Sequence, residues 1–446
     1  MDNQAMPTAH TSSYIKVQFL QRQAASLLLY QSVLQGKVAI AFLELLQAIR
    51  YTDADGRDCL KAYGSYFQAL AASNQTWEEY LISQILIADN PFSKLAQQRK
   101  FADLPPALVA ATQNDLQILQ SLYECNSAIL SEWVQIAAHL PVSPVVWYQE
   151  PQKVFDQGLP ASLPQLTTWA DAVEDLAAYY QQYGTGLFAE YSAFRWQAGE
   201  FVGIRYADTV KLSTLVGYEW QKDTLLKNTE FLLSGESALH VLLYGSRGSG
   251  KSSLIKALLN EYRHRNLRLI EVAKSELQDL PKIVEYLRGV PQKFVIFVDD
   301  LAFEEDDDAF KALKVVLEGS LTARPQNTVV YATSNRRHLI REYFSDRPTP
   351  KDHEEVHAWD TMQEKLSFSD RFGLTLTFEA ADQKTYLQIV QHLAAKTGIN
   401  ITPSDLEYQA LQWATRHNGR SGRTARQFID FLKAELAVFG ENNNSL

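Results

Sequence analysis

The residues in this chain best suited to chemistry are Gly245-Ser246-Arg247-Gly248-Ser249-Gly250-Lys251-Ser252. Glycines at positions 245, 248 and 250 allow backbone conformations closed to residues with a Cβ, so successive N–H groups can turn inward on one anion. Lysine after the last glycine adds a charge that reaches the β- and γ-phosphates of a nucleotide, and the serine after it offers a hydroxyl to Mg²⁺. The pattern carries this meaning between a strand and a helix. Here the apolar run Leu239-His240-Val241-Leu242-Leu243-Tyr244 precedes it, and Ser253-Leu254-Ile255 opens a helical pattern. That helix would add the partial positive charge of its N-terminus. The spacing predicts a phosphate-binding loop in which Gly245, Ser246, Arg247, Gly248, Ser249, Gly250, Lys251, Ser252 and Ser253 surround the phosphates.

Two further groups stand at the ends of apolar runs. Phe294-Val295-Ile296-Phe297-Val298 terminates in Asp299-Asp300. Asp299 is placed to hold Mg²⁺ beside Ser252, and Asp300 to orient an attacking water. Thr328-Val329-Val330-Tyr331-Ala332 leads into Thr333-Ser334-Asn335; an amide at Asn335 would lie between the loop and the Asp299 strand, within reach of a γ-phosphate or its water. The acidic run Glu304-Glu305-Asp306-Asp307-Asp308 reads as a solvated segment.

These groups need a sheet to position them. From about residue 201, β-branched and aromatic runs at 239–244, 268–272, 294–298 and 328–332 alternate with helix-length segments, one of them 220–233. Alternation of that kind predicts an α/β fold, a parallel sheet with helices on both faces and its ligand at the carboxyl ends of the strands. Residues 1–200 differ. Apolar residues recur at helical spacing from about 17 to 140, with segments at 60–72, 77–88 and 108–140 and turn signals at Asp53-Ala54-Asp55-Gly56 and Asp89-Asn90-Pro91. This predicts a mostly α-helical N-terminal domain. Prolines at 141, 144, 151, 160 and 164 mark a linker or crossing segment, and a helix over 166–183 carries Tyr179, Tyr180 and Tyr183 on a packed face.

At 446 residues the chain holds two or three domains, and 46% hydrophobic with 21% charged residues is a globular composition. No apolar run is long enough for a membrane span, and the start, Met1-Asp2-Asn3-Gln4, has no basic, apolar leader pattern. The cysteines Cys59 and Cys125 make neither a disulfide framework nor a metal site. A cytoplasmic protein is expected. Residues 1–200 carry 11 Lys and Arg against 19 Asp and Glu, and the remainder 31 against 33, which disfavours a nucleic-acid partner.

The order of parts resembles an AAA+ ATPase: Walker A at 245–252, Walker B at 294–300, sensor 1 at 331–335, an arginine-finger segment Ser369-Asp370-Arg371-Phe372-Gly373 and a sensor 2 segment Gly422-Arg423-Thr424-Ala425-Arg426. More narrowly, residues 215–431 resemble the bacterial ATP-binding proteins of domain of unknown function 815, on Val216-Gly217-Tyr218-Glu219, Asp299-Asp300-Leu301 and Ala332-Thr333-Ser334-Asn335-Arg336-Arg337-His338-Leu339. The resemblance implies ATP and Mg²⁺ as cofactors, a nucleotide-binding domain over 201–380 and a small C-terminal helical lid over 381–446. It makes Val216 and Gly217 neighbours of the adenine and Arg426 the sensor 2 residue, with Arg423 the competing assignment. It also implies that Arg371 acts in a neighbouring subunit's site, hence a homo-oligomer, with the N-terminal domain binding a protein partner. The usual Walker B ending is Asp-Glu; Asp299-Asp300 puts hydrolysis rate more than binding in doubt.

Rival readings follow from the same residues. Slow turnover would make the chain a nucleotide-gated scaffold, and salt-sensitive DNA binding would make it a DNA-associated loader. His353-Glu354-Glu355-Val356-His357 matches a zinc protease motif, but Pro348 and Pro350 precede it and a polar insertion is preferred. There is no Asn-Lys-x-Asp guanine-reading tetrad.

Overall fold

The computed structural model describes residues 6–53, 55–148, 162–303, 308–318, 325–335, 368–417 and 419–439. The chain divides into two compact units, Met1–Glu190 and Tyr191–Leu446.

The first unit is helical. Its helices are α1 (Met6–Ala25), α2 (Lys37–Arg50), α3 (Arg57–Ser73), α4 (Trp77–Ile87), α5 (Pro91–Ala96), α6 (Pro106–Glu124), α7 (Ser127–Ala137), α8 (Val173–Tyr183) and α9 (Gly186–Glu190). Local chemistry sets their ends. Thr76 and Glu79 form a reciprocal capping box at α4, and Asn90 with Ser93 does the same at α5, where Pro91 costs no hydrogen bond in the first turn. The apolar stretch over 108–140 is two helices, because the Asn126 side chain accepts the Ile129 N–H and starts a new helix. Phe42 stacks on Trp77 with ring centroids 4.0 Å apart, and the Trp77 indole N–H donates to the Leu122 carbonyl. Tyr180 is fully buried, donating to the Ile85 carbonyl, so the tyrosines of α8 are core and rim rather than a ligand platform. Residues 141–148 cross the helices: Tyr63 and Ser131 donate to the Val145 and Pro144 carbonyls. Pro151 and Pro160 lie outside the described residues.

The second unit is an α/β sheet with strands β1 (Ala193–Gln197), β2 (Glu200–Gly203), β3 (Val241–Gly245), β4 (Leu267–Val272), β5 (Lys293–Val298), β6 (Thr328–Ser334) and β7 (Leu374–Phe378), in the order β2-β1-β4-β5-β6-β3-β7. All neighbours are parallel except β1 and β2, an antiparallel hairpin whose turn residues Ala198 and Gly199 both have positive φ. The central strands are buried along nearly their whole length, as a sheet covered on both faces requires. Its helices are α10 (Glu219–Leu233), α11 (Lys251–Tyr262), α12 (Leu280–Tyr286) and α13 (Asp308–Glu318), followed by α14 (Gln383–Thr397), α15 (Pro403–Arg416) and α16 (Gly422–Phe439). The last three share their own apolar cluster around Tyr386, Val390, Ala410, Ala425 and Ile429, against which Val216 packs. Among the described residues no helix is long and apolar enough to cross a membrane.

Candidate functional site

The sheet order brings the chemical residues together. β6 lies between β3, which leads into the glycine loop, and β5, which ends at Asp299. Carboxyl ends of all three parallel strands therefore open on one side. β3 turns into α11 through a loop in which two glycines have close neighbours. Gly245 has φ +133°, and a Cβ there would stand 2.0 Å from the Phe378 carbonyl oxygen. Gly248 has φ +74°, and its Cβ would stand 2.8 Å from the Ser421 hydroxyl. The Ser246 N–H donates to the Phe378 carbonyl, so Gly245 and Ser246 form the floor of the loop.

Lys251, only 6% exposed, donates to the carbonyls of Gly245 (2.9 Å) and Ser246 (2.7 Å) and reaches Asn335 Oδ1 at 3.5 Å. Burial lowers its pKa, Asp299 and Asp300 oppose the shift, and the Arg423 charge adds to it. The ammonium thus sits where an anion would be welcome.

Around Asp299 the hydrogen bonds converge. Ser252 Oγ donates to Asp299 Oδ1 at 2.6 Å, and Thr333 Oγ1 donates to the same oxygen at 2.5 Å. The Asp300 N–H donates back to Thr333 Oγ1 at 3.0 Å. Asp300 has φ +50°, a left-handed conformation that a non-glycine residue keeps only when its surroundings hold it. Asn335 Nδ2 donates to Asp300 Oδ1 at 2.6 Å.

These groups line one cleft of about 720 Å³. Arg247, Gly248, Ser249, Gly250, Lys251, Ser252 and Ser253 form its phosphate-like end, with Asp299, Asp300, Thr333 and Asn335 beside them. Val216, Gly217, Tyr218, Ile389 and Leu393 also line it, and Phe378, which pairs with Gly245, lines it beside the loop. Arg423 and Arg426 both face the cleft from the start of α16, and the Arg423 N–H donates to the Gly248 carbonyl at 3.1 Å. Arg371 is not part of this lining; it pairs with Glu318 at the end of α13.

The donors fit the groups that the sequence implies. The glycine loop is a cradle that a side chain at Gly245 or Gly248 would obstruct. Among the described residues no group of three or more His, Cys, Asp or Glu could hold a metal. A hydroxyl and one carboxylate, Ser252 and Asp299, instead match Mg²⁺, which keeps water and phosphate oxygens in its shell. The His353–His357 motif and most of the acidic run at 304–308 lie outside the described residues.

Sequence reasoning passed over Thr333, which it treated as strand end although a hydroxyl on a buried strand calls for a partner. It also passed over Tyr218, Ile389 and Leu393. The last two, four residues apart on one helix, carry the spacing of ordinary core.

Comparison with curated proteins gave no match. Among solved structures, a Thermotoga maritima RuvB variant aligns at 17% identity over 52% of this chain and 68% of its own, with a TM-score of 0.37. The AAA domain of FIGL-1 in complex with ADP aligns at 18% identity over 54% and 78%, with a TM-score of 0.35. The parallel sheet with a glycine loop between β3 and α11 is a P-loop α/β arrangement, followed in the chain by a cluster of three helices and preceded by a helical unit. With a family model matching residues 189–436, the chain belongs to the family described as protein of unknown function, DUF815.

Proposed function

We propose that the chain binds ATP with Mg²⁺ and hydrolyses it to ADP and phosphate, coupling turnover to movement of its C-terminal helices and to remodelling of a protein partner. The observation that carries this reading is the convergence of Lys251, Ser252, Asp299, Thr333 and Asn335 in one cleft.

In this reading Lys251 exchanges its bonds to the Gly245 and Ser246 carbonyls for phosphate oxygens, while N–H groups of residues 247–252 surround the β-phosphate. Ser252 and Asp299 would hold Mg²⁺, whose contribution when bound is to offset charge on the transferring phosphoryl group. Asp300 orients the attacking water, with Asn335 fixing the carboxylate and sensing the γ-phosphate. Arg426, or Arg423 in its place, reaches the γ-phosphate from the lid. Arg371 acts in the site of a neighbouring subunit after leaving Glu318, which requires a homo-oligomer. The N-terminal unit recognises the partner.

A second reading is a nucleotide-gated scaffold with slow turnover. It is favoured by Asp300 itself, whose side chain is shorter than the usual glutamate and is drawn to the Asn335 amide at 2.6 Å. Phosphate release by the full chain with Mg²⁺-ATP, compared with Lys251→Ala, separates the two. Release that depends on Lys251 is the expected result. Tight Lys251-dependent binding without release would support the scaffold and overturn the ATPase.

A further inference from the structure

One wall of the cleft is a strap of chain between β2 and α10 that has no regular strand or long helix of its own. Asp208, Val210, Thr214 and Leu215 of this strap line the cleft. Such a segment holds its shape only where other elements fasten it. One fastening comes from Asn260 in the third turn of α11, the helix that begins with Lys251. Its Nδ2 donates to the carbonyls of Asp208 at 2.8 Å and Val210 at 2.7 Å. Both amide protons of a single side chain are therefore spent on two carbonyls two residues apart. Asp208 tightens the same turn by accepting the Val210 N–H at 3.1 Å. From the same helix, α11, Lys256 pairs with Asp208 at 3.8 Å, and from α14 Lys396 Nζ and His392 Nε2 both bond the Ser213 carbonyl, at 2.5 and 2.8 Å.

The two ends of the cleft suit different parts of a nucleotide. Polyphosphate needs N–H donors and cations, which the glycine loop and Lys251 supply. Val210, Leu215, Ile389 and Leu393, which line the same cleft, offer it apolar surface, which suits the face of a nucleobase and cannot solvate a phosphate. Asn260 and Lys251 stand on one helix, so the Asn260 amide ties the strap to the element that carries the loop lysine.

We propose that Asn260 is a positioning residue for nucleoside recognition: it holds the 208–210 strap against α11 and so sets the base-binding end of the cleft. This rests on the nucleotide-binding reading above. The phosphate end does not depend on Asn260, so the two ends should respond differently when it is changed.

The test uses the full chain and two probes, Mg²⁺-ATP and inorganic tripolyphosphate, the latter read by competition against a fluorescent nucleotide. Asn260→Leu removes both donors at similar volume; Asn260→Asp keeps the shape but sets a carboxylate against two carbonyls. In both variants ATP affinity is expected to fall about tenfold, the scale of two lost hydrogen bonds. Tripolyphosphate affinity should stay within about twofold of wild type, since its ligands are untouched. KM for ATP should rise with kcat within about threefold. ATP affinity unchanged in both variants overturns the proposal. Equal losses for ATP and tripolyphosphate also overturn it, by showing that Asn260 acts on the helix as a whole. A wild-type chain that binds neither probe overturns the nucleotide reading itself, a result distinct from the other two.

Discussion

Thr333→Val tests how the two acids are held. Thr333 is 2% exposed, and its hydroxyl is bonded to both acidic residues: it donates to Asp299 Oδ1 and accepts the Asp300 N–H. Valine keeps the branched shape and fits the strand but can do neither. Losing a hydrogen bond to a charged group costs about 1.5–3 kcal/mol, and a partly buried N–H left without that partner about 1–3 kcal/mol. Relaxation recovers part of this, so a stability loss of about 2–4 kcal/mol is expected by thermal or denaturant unfolding. The catalytic effect has a different source. Asp300 keeps its left-handed backbone through neighbours that hold it, and once its N–H is free only the Asn335 amide and the following residue's backbone bond to Thr333 hold the carboxylate in place, so it shifts. If this misplacement forfeits about 2–3 kcal/mol of transition-state stabilisation, kcat falls roughly 30- to 150-fold. ATP affinity without Mg²⁺ should change less than about threefold, because the glycine loop and Lys251 are untouched. Thr333→Ser, which retains the hydroxyl, should restore most of the rate. The assays are phosphate release and Mg²⁺ titration of nucleotide binding. A Thr333→Val chain with wild-type turnover and an unchanged Mg²⁺ requirement would refute the reasoning.

Other sites give equally direct outcomes. Asp115 is fully buried, and its carboxylate accepts the N–H groups of Leu28, Leu29 and Tyr30; Asp115→Ala should destabilise the N-terminal unit by about 3–5 kcal/mol in denaturant unfolding, and a loss below about 1 kcal/mol would contradict that role. For Lys251, burial holds the folded-state pKa below the ordinary 10.5, so between the two values the unfolded chain binds the extra proton. Stability of the ligand-free chain should therefore rise with pH through that window, while ATP affinity falls as the ammonium loses its charge. An ATP affinity that stays flat up to the ordinary lysine pKa would count against this.

What could be read from the sequence is what local sterics and charge dictate. A glycine loop between an apolar run and a helix has few alternatives, because Gly245 and Gly248 occupy places where a Cβ meets Phe378 or Ser421. Paired acids after a buried strand are informative because a glycine loop lies in the same sheet. Elements whose identity depends on distant partners were not legible. β7, with the pattern Leu-Thr-Leu-Thr-Phe, and β1, where Arg195 and Gln197 alternate with buried residues, reveal themselves through pairing with β3 and β4. The strap over 208–215 has no pattern at all: its wall exists because Asn260, His392 and Lys396, far along the chain, bond its carbonyls. Arg371 had a role by resemblance, yet its partner Glu318 could not be read from spacing.

Gly248 connects the phosphate loop to the lid in a way that neither motif alone describes. Its carbonyl accepts the Arg423 N–H, and a Cβ on Gly422 would come within 3.1 Å of that same oxygen. From the opposite direction, a Cβ on Gly248 would meet Ser421 Oγ at 2.8 Å and Arg423 Cβ at 3.1 Å. Two glycines therefore let two backbones touch where the loop would turn its N–H groups toward phosphate. If the loop shifts on taking up a nucleotide, as the proposed function requires, the first turn of α16 would move with it, and with α16 the apolar cluster around Ile429 and Val390. The same helix carries Arg423 and Arg426 into the cleft. On the proposed function, coupling between nucleotide and the C-terminal helices would need no long pathway, because one backbone hydrogen bond joins the glycine loop to the first turn of α16.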